Sequence, residues 1–331
     1  MDTLYPIKFQ PILKDKIWGG SRLKNILHKP TKSDKCGESW EISAVQGNIS
    51  KVKNGFLAGN NLQELIEIYM GDLVGDGIYE RFGIEFPLLI KFIDTNDVLS
   101  VQVHPDDELA MKRHKAYGKT EMWYIINTEK DAEIICGFNR EMDKETYLKH
   151  LQNKTLKEIL NFEKVKAGDV FFTPSGRVHA VGAGILLAEI QQTSDITYRI
   201  YDWDRVDEKG NPREMHTELA LDAIDFKFYG KYRTDYKSEL NQTTGIADCK
   251  YFTTGLLYFD KPVEKDFSLI DSFVIYVCLE GKININYGTG LSESIVAGET
   301  VLIPAMIKNL NLVPQGTART LEVYIKQLYI T

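Results

Sequence analysis

The run Gly168-Asp-Val-Phe-Phe-Thr-Pro174-Ser-Gly176-Arg-Val-His179 decides how the rest of the chain is read. An apolar stretch of strand character stops at Pro174, which has no N–H for a sheet ladder, and Gly176 permits a tight turn. A returning strand then carries His179, which the turn aims into the mouth of whatever the strands enclose. The same texture extends on both sides. MWYII (122–126), AEIICGF (132–138), ILLAEIQ (185–191), FVIYVCL (273–279), KININY (282–287), TVLIP (300–304) and LEVYIKQLYI (321–330) are short aromatic and β-branched runs. Separated by Gly, Asn and Asp, they predict a mainly β chain built as a sandwich or barrel. Helical periodicity is confined to 61–74, 105–116, 143–162 and 213–224, and Thr155-x-x-Glu158 reads as an internal capping box. These helices fall between blocks of strands without alternating with them, which argues against a doubly wound α/β fold. Gly182-Ala183-Gly184 lacks the third glycine of a dinucleotide loop, and no Walker A loop or G-x-S-x-G elbow occurs.

With 331 residues, the chain has the length of about two domains. Hydrophobic residues at 43% and charged residues at 26% are the balance of a soluble globular protein. The net charge of −7 would repel a nucleic-acid backbone or an anionic membrane, so any anionic small substrate needs a locally basic site. Cys36, Cys136, Cys249 and Cys278 form no C-x-x-C pair and read as buried thiols in a reducing compartment. The N-terminus has no apolar signal-peptide core, and no stretch reaches the length of a membrane span. The expectation is a cytoplasmic enzyme or binding protein, monomer or homodimer, with no nucleic-acid or membrane partner. The polar segment 229–245 marks a boundary, giving an N-terminal domain over 1–235 and a C-terminal one over 236–331. All six histidines precede that segment.

In Leu99-Ser-Val-Gln102-Val-His104-Pro, alternation puts Val101 and Val103 on one strand face and Gln102 and His104 on the other. Taken alone this also describes a strand end at the surface. The run from Gly168 matches G-x5-P-x-G-x2-H, and in that respect resembles the second signature of the cupin barrels. The C-terminal block repeats the frame without the chemistry: Gly298 and Pro304 keep G-x5-P, but Met306 and Asn309 stand where the glycine and histidine stood. Upstream, laying Tyr276 over Tyr124 puts Phe273 in the place of Glu121. The chain therefore reads as one barrel twice, with metal ligands in the first copy only. Gln102, His104, Glu121 and His179 form an N2O2 donor set suited to Zn²⁺, with Fe, Mn or Co also compatible.

At these residues the chain resembles the type I phosphomannose isomerases, in their short bacterial form. The resemblance runs nearly end to end, through KIWGG (16–20), CGESWEIS (36–43), FPLLIKFID (86–94), LSVQVHPDDE (99–108), GKTEMWYII (118–126), FFTPSGRVHAVG (171–182) and EIQQTSDITYRIYDWDR (189–205). It implies a mainly β fold of two cupin (jelly-roll) barrels with a few helices in or around the N-terminal one, which would be catalytic. It also implies one Zn²⁺ per chain and interconversion of mannose 6-phosphate with fructose 6-phosphate through a cis-enediol. By position, Gln102, His104, Glu121 and His179 would be the zinc ligands, Arg199 the active-site arginine, and Lys91 and Lys119 the site lysines. The long helical insertion of the larger members is absent, so substrate contacts made there do not transfer.

The residues fit that chemistry. Moving a proton between C1 and C2 builds negative charge on adjacent oxygens, which a divalent ion and a planar guanidinium both stabilise. Asp195 and Arg199, four apart, share a face if their segment is a strand, and the pair would orient the arginine or serve ring opening. Lys91 in its apolar run is either an edge-strand gatekeeper or faces a polar cavity. Lys119, two residues before Glu121, shares its strand face. Lys119 and Glu189 are candidates for the proton transfer. Competing readings are a non-catalytic sugar-phosphate-binding or regulatory cupin, a cupin-type glucose-6-phosphate isomerase, or an Fe/Mn oxygenase.

Overall fold

The structure, a computed structural model, describes residues 4–206 and 209–326. The N-terminal part carries β1 (Ile7–Lys8), β2 (Ile12–Gly20), β3 (Cys36–Ile42), β4 (Leu88–Thr95), β5 (Val101–Val103), β6 (Glu121–Thr128), β7 (Glu133–Phe138), β8 (Leu160–Lys164), β9 (Val170–Thr173), β10 (His179–Val181), β11 (Ile185–Gln192) and β12 (Tyr198–Tyr201). The C-terminal part carries β13 (Gln242–Asp248), β14 (Thr253–Phe259), β15 (Val263–Asp266), β16 (Val274–Glu280), β17 (Lys282–Asn286), β18 (Ser292–Val296), β19 (Thr300–Ile303), β20 (Asn309–Pro314) and β21 (Ala318–Tyr324). The helices are α1 (Arg22–Asn25), α2 (Leu62–Val74), α3 (Asp76–Phe82), α4 (Asp107–His114), α5 (Lys144–Gln152) and α6 (Thr217–Ala223). The end of the run 321–330, from residue 327 on, lies outside the described residues.

Four sheets result. In the first part, β2-β3-β4-β11-β6-β9 faces β12-β5-β10-β7-β8; in the second, β13-β14-β21-β16-β19-β1 faces β15-β20-β17-β18. The order β3-β4-β11-β6-β9 of one half therefore recurs as β13-β14-β21-β16-β19 in the other, and β5-β10-β7-β8 as β15-β20-β17-β18. We propose a domain division at 235/236, with β1 as a strap across it, since Ile7 and Lys8 pair with Leu302 and Val301 of β19.

The two six-stranded sheets stack on each other. Leu88, Ile90, Phe92, Met122, Tyr124, Leu186, Ala188 and Ile190 of one pack with Leu256, Ile275, Val277, Leu302, Leu321 and Val323 of the other in a single core. The central strands are thus buried on both faces, which is why β4 and β11 read as continuous runs with little alternation. On their opposite, inner faces the same strands carry Lys91, Glu121, Trp123, Glu189 and Gln191, all buried. Burial on both sides leaves no solvent to satisfy these polar groups, so they must satisfy one another or a ligand. The outer face of the β5 sheet is closed by Tyr147 of α5 and by Ala220 and Leu221 of α6. Among the described residues no helix is long and apolar enough to cross a membrane.

Three expectations are corrected. The periodic stretch 143–162 is not one helix: α5 ends at Gln152, and Thr155 makes no capping hydrogen bond to the 3₁₀ turn Leu156–Glu158. Its hydroxyl contacts the His150 ring instead (2.8 Å), and 160–164 form β8. The periodic stretch at 213–224 is helical only from Thr217. The third concerns the repeat. Glu121 pairs with Thr173 and Val274 with Ile303, at equivalent places after Gly168 and Gly298. Val274, not Phe273, therefore stands in the place of Glu121, and Tyr276 in that of Trp123. Phe273 packs in the core between the halves while Val274 and Tyr276 face the interior of the second, because a one-residue slip reverses every side chain of a strand.

Candidate functional site

Two rows of paired residues face each other inside the first half. On one sheet, Arg199 of β12 lies opposite Gln102 of β5, which lies opposite His179 of β10. On the other, Trp40, Lys91, Glu189 and Trp123 are successive partners across β3, β4, β11 and β6, and Gln191 is opposite Glu121 one step along. Directly paired residues point to the same face, so each row projects into the space between the sheets.

The turn read from the sequence performs as expected. Gly176 has φ +88°, a conformation that L side chains rarely adopt, and its N–H donates to the His104 carbonyl at 2.9 Å. This ties the turn before His179 to the end of the strand that carries His104. Helix α4 follows at once, capped by Asp106, whose side chain accepts from Leu109 N–H at 2.8 Å.

His104, Glu121 and His179 bring three ligand atoms within 4.8 Å of one another, and all three residues are about 1% exposed. Glu121 Oε2 lies 3.5 Å from His104 Nε2, and Oε1 lies 3.3 Å from His179 Nε2. Each imidazole is turned by a carbonyl behind it: His104 Nδ1 is 2.9 Å from the Ile196 oxygen and His179 Nδ1 is 2.9 Å from that of Arg177. A carbonyl accepts only, so each Nδ1 carries the proton and each Nε2 offers a lone pair to the centre, the arrangement of metal-binding histidines. Burial, with the Lys119 charge, holds the His104 pKa down at about 3, and burial lowers that of His179, so both rings are neutral. Burial alone would raise the Glu121 pKa, but Lys119 and the two histidines hold it well below the usual carboxylate range.

Lys119 Nζ lies 2.9 Å from Glu121 Oε2 and 3.1 Å from His104 Nε2. Among the described residues, the buried Oε2 has this ion pair as its charged contact. A carboxylate with one oxygen toward each imidazole lone pair is a donor set for a divalent cation. Gln102 stands at its edge, with its amide nitrogen 3.2 Å from His179 Nε2. Turned by 180°, the amide would present its oxygen there as a further donor.

The centre sits beside a pocket of about 280 Å³ whose walls include Gln102, Lys91, Lys119, Asp195 and Arg199. Lys91 is no edge gatekeeper: β4 is an interior strand, and Nζ donates to Glu189 (2.9 Å) and Gln191 (2.6 Å). Glu189 also accepts from Trp123 Nε1 at 3.0 Å. Asp195 and Arg199 do not share a strand face, since β12 begins only at Tyr198. Arg199 is held by the Glu214 carbonyl (2.8 Å), and among the described residues its buried Nε has no hydrogen-bond partner. Four charged wall residues were not singled out from the sequence: Lys14, Lys16, Glu38 and Arg213. The i, i+2 spacing of the two lysines on β2 was the available signal, because it places both on one face. Lys14 Nζ sits 3.5 Å from the centre of the Trp40 ring, and Lys16 is 3.2 Å from Glu38.

A family model, phosphomannose isomerase type I, catalytic domain, matches residues 7–159. The chain is similar to mannose-6-phosphate isomerase ManA of Bacillus subtilis (strain 168), with 41% identity over 259 residues, 76% of this chain and 79% of that protein. It is 35% identical over 309 residues to the mannose-6-phosphate isomerase of Streptococcus mutans, covering 92% and 94% of the two chains. The crystal structure of the mannose 6-phosphate isomerase from Bacillus subtilis superposes with a TM-score of 0.87 at 32% identity, over 97% of this chain and all of that one. Matches of this length, in relatives whose whole fold coincides with this one, place the chain in the type I phosphomannose isomerase family.

Proposed function

We propose that the protein interconverts mannose 6-phosphate and fructose 6-phosphate, with one Zn²⁺ per chain and through a cis-enediol. The observation that carries this reading is the junction of a buried His104–Glu121–His179 donor set with a pocket bearing six basic side chains against three acidic ones. A dianionic sugar phosphate needs such local positive charge in a protein of net charge −7.

His104, His179 and Glu121 would hold the ion, with Gln102 as a fourth donor. Bound there, Zn²⁺ supplies Lewis-acid polarisation of the sugar oxygens or fixes their position. The remaining work falls to the chain. Arg199, fixed by the Glu214 carbonyl, presents a planar guanidinium to the charge developing on the C1 and C2 oxygens. Lys14, Lys16 and Arg213 face the same space from β2 and from the segment after β12, and would receive the phosphate. Lys119 and Glu189 would carry the proton between C1 and C2, with Lys91 fixing one carboxylate oxygen of Glu189 and Trp123 the other. Asp195, on the pocket wall, would serve ring opening.

The test is a coupled assay for fructose 6-phosphate formed from mannose 6-phosphate. Turnover that EDTA abolishes and Zn²⁺ restores is the expected result. No turnover with metal loaded would sink the reading, and turnover indifferent to chelation would remove the metal from it.

A further inference from the structure

The second half has lost the metal ligands but kept a cavity at the corresponding place. Glu189 lies between Lys91 and Trp123 in the pairing of the first half; Glu322 lies between Gly255 and Tyr276 in that of the second. One strand further out, Trp40 lies opposite Lys91, and Gly245 opposite Gly255. An acid therefore stands at this place in both halves, with glycines in the second where the first has a lysine and a tryptophan. Gly245 and Gly255 line an open cavity of about 440 Å³. A Cβ at Gly245 would meet nothing within 4 Å.

Glu322 lines this cavity and is 5% exposed. Its Oε2 accepts from Tyr276 Oη and lies against Lys265 Nζ, each at 2.7 Å. Lys265 also donates to Thr243 Oγ1 at 2.6 Å. Among the described residues nothing hydrogen-bonds Glu322 Oε1. A buried carboxylate with one oxygen fixed and the other without a protein donor is suited to a ligand that donates. The charges cancel locally, Glu322 against Lys265 and Asp248 against Lys326 at 2.7 Å. A phosphate would find no uncompensated cation here, in contrast to the first pocket. A neutral polyhydroxylated molecule finds an acceptor in Glu322, hydroxyls in Thr243 and Thr253, and an aromatic wall in Tyr324.

We propose that the cavity of the C-terminal half binds an unphosphorylated hexose. The test is calorimetric titration of D-mannose, and separately D-glucose and D-fructose, into the full chain with the first pocket saturated by fructose 6-phosphate. Saturable millimolar binding of at least one hexose is expected. Gly245→Trp, which refills the cavity at an exposed edge strand, should weaken it by about tenfold or more while leaving kcat and KM for the sugar phosphate unchanged. Glu322→Gln should weaken it as well, but leaves Lys265 without its counter-ion, so Gly245→Trp is the decisive variant. Absence of saturable binding for all three hexoses, or Gly245→Trp binding as wild type does, overturns the proposal. So does binding of sugar phosphate in preference to free hexose at this site, detected as competition that Gly245→Trp removes.

Discussion

His179 reaches the candidate metal centre from a three-residue strand, Glu121 from the facing sheet, and His104 from just past the end of β5. Each histidine is held by the carbonyl behind its Nδ1, and Glu121 by its place on β6, so these positions survive loss of one ligand. Truncating one should therefore empty the centre without unfolding the protein. His179→Ala is expected to lose bound zinc by elemental analysis and to lose turnover, with an unchanged circular dichroism spectrum. Full metal occupancy in that variant would mean that the ligand set is wrong. In the proposed reading Arg199 differs in kind, since its guanidinium, anchored on the Glu214 carbonyl, would act as a preorganised donor and not as a ligand. Arg199→Ala should retain the metal while kcat falls by about 10²–10³-fold, the usual loss for one charge-stabilising donor. Steady-state rates within about threefold of wild type would refute that role.

The turn between β9 and β10 is the element on which the site depends. Gly176 holds φ +88°, and a Cβ there would stand 3.1 Å from the Ala223 carbonyl oxygen and 3.2 Å from Asp225 Cβ. Gly176→Ala should therefore destabilise the protein by about 1–2 kcal/mol from backbone strain alone, visible as a lower urea midpoint. Because the Gly176 N–H also positions the His104 carbonyl, zinc affinity measured by chelator competition should fall with it. An unchanged midpoint and affinity would show that the turn relaxes freely. At this scale the sequence was most readable where one strand's own alternation set the outcome, as with Gln102 and His104 against Val101 and Val103. Thr155 misled because a capping pattern specifies a helix start only where a turn follows, and here the chain passes through one 3₁₀ turn into β8.

In the whole molecule the largest core lies between the halves, where two six-stranded sheets stack. Leu321 sits fully buried in it, on the strand whose opposite face carries Glu322. Leu321→Ala should cost about 2–5 kcal/mol, as other leucine truncations in packed cores do. The loss should appear as one calorimetric transition shifted downward, because either half without the other would expose its stacking face. Two separate transitions, only one of them shifted, would show that the halves fold independently.

By itself the sequence determined the mainly β class, the turn that delivers His179, and the residue types assembled at the candidate centre, because alternation and turn chemistry are local. Tertiary structure alone decided which distant strands pair, and therefore everything that depends on pairing. Those outcomes include Lys14, Lys16 and Arg213 on the pocket wall, the strap of β1 on β19, and Val274 rather than Phe273 in the place of Glu121. A strand's own residues settle which side chains share a face, but not which face meets the core. That choice is made by contacts between residues far apart along the chain, where a shift of one position exchanges inside for outside.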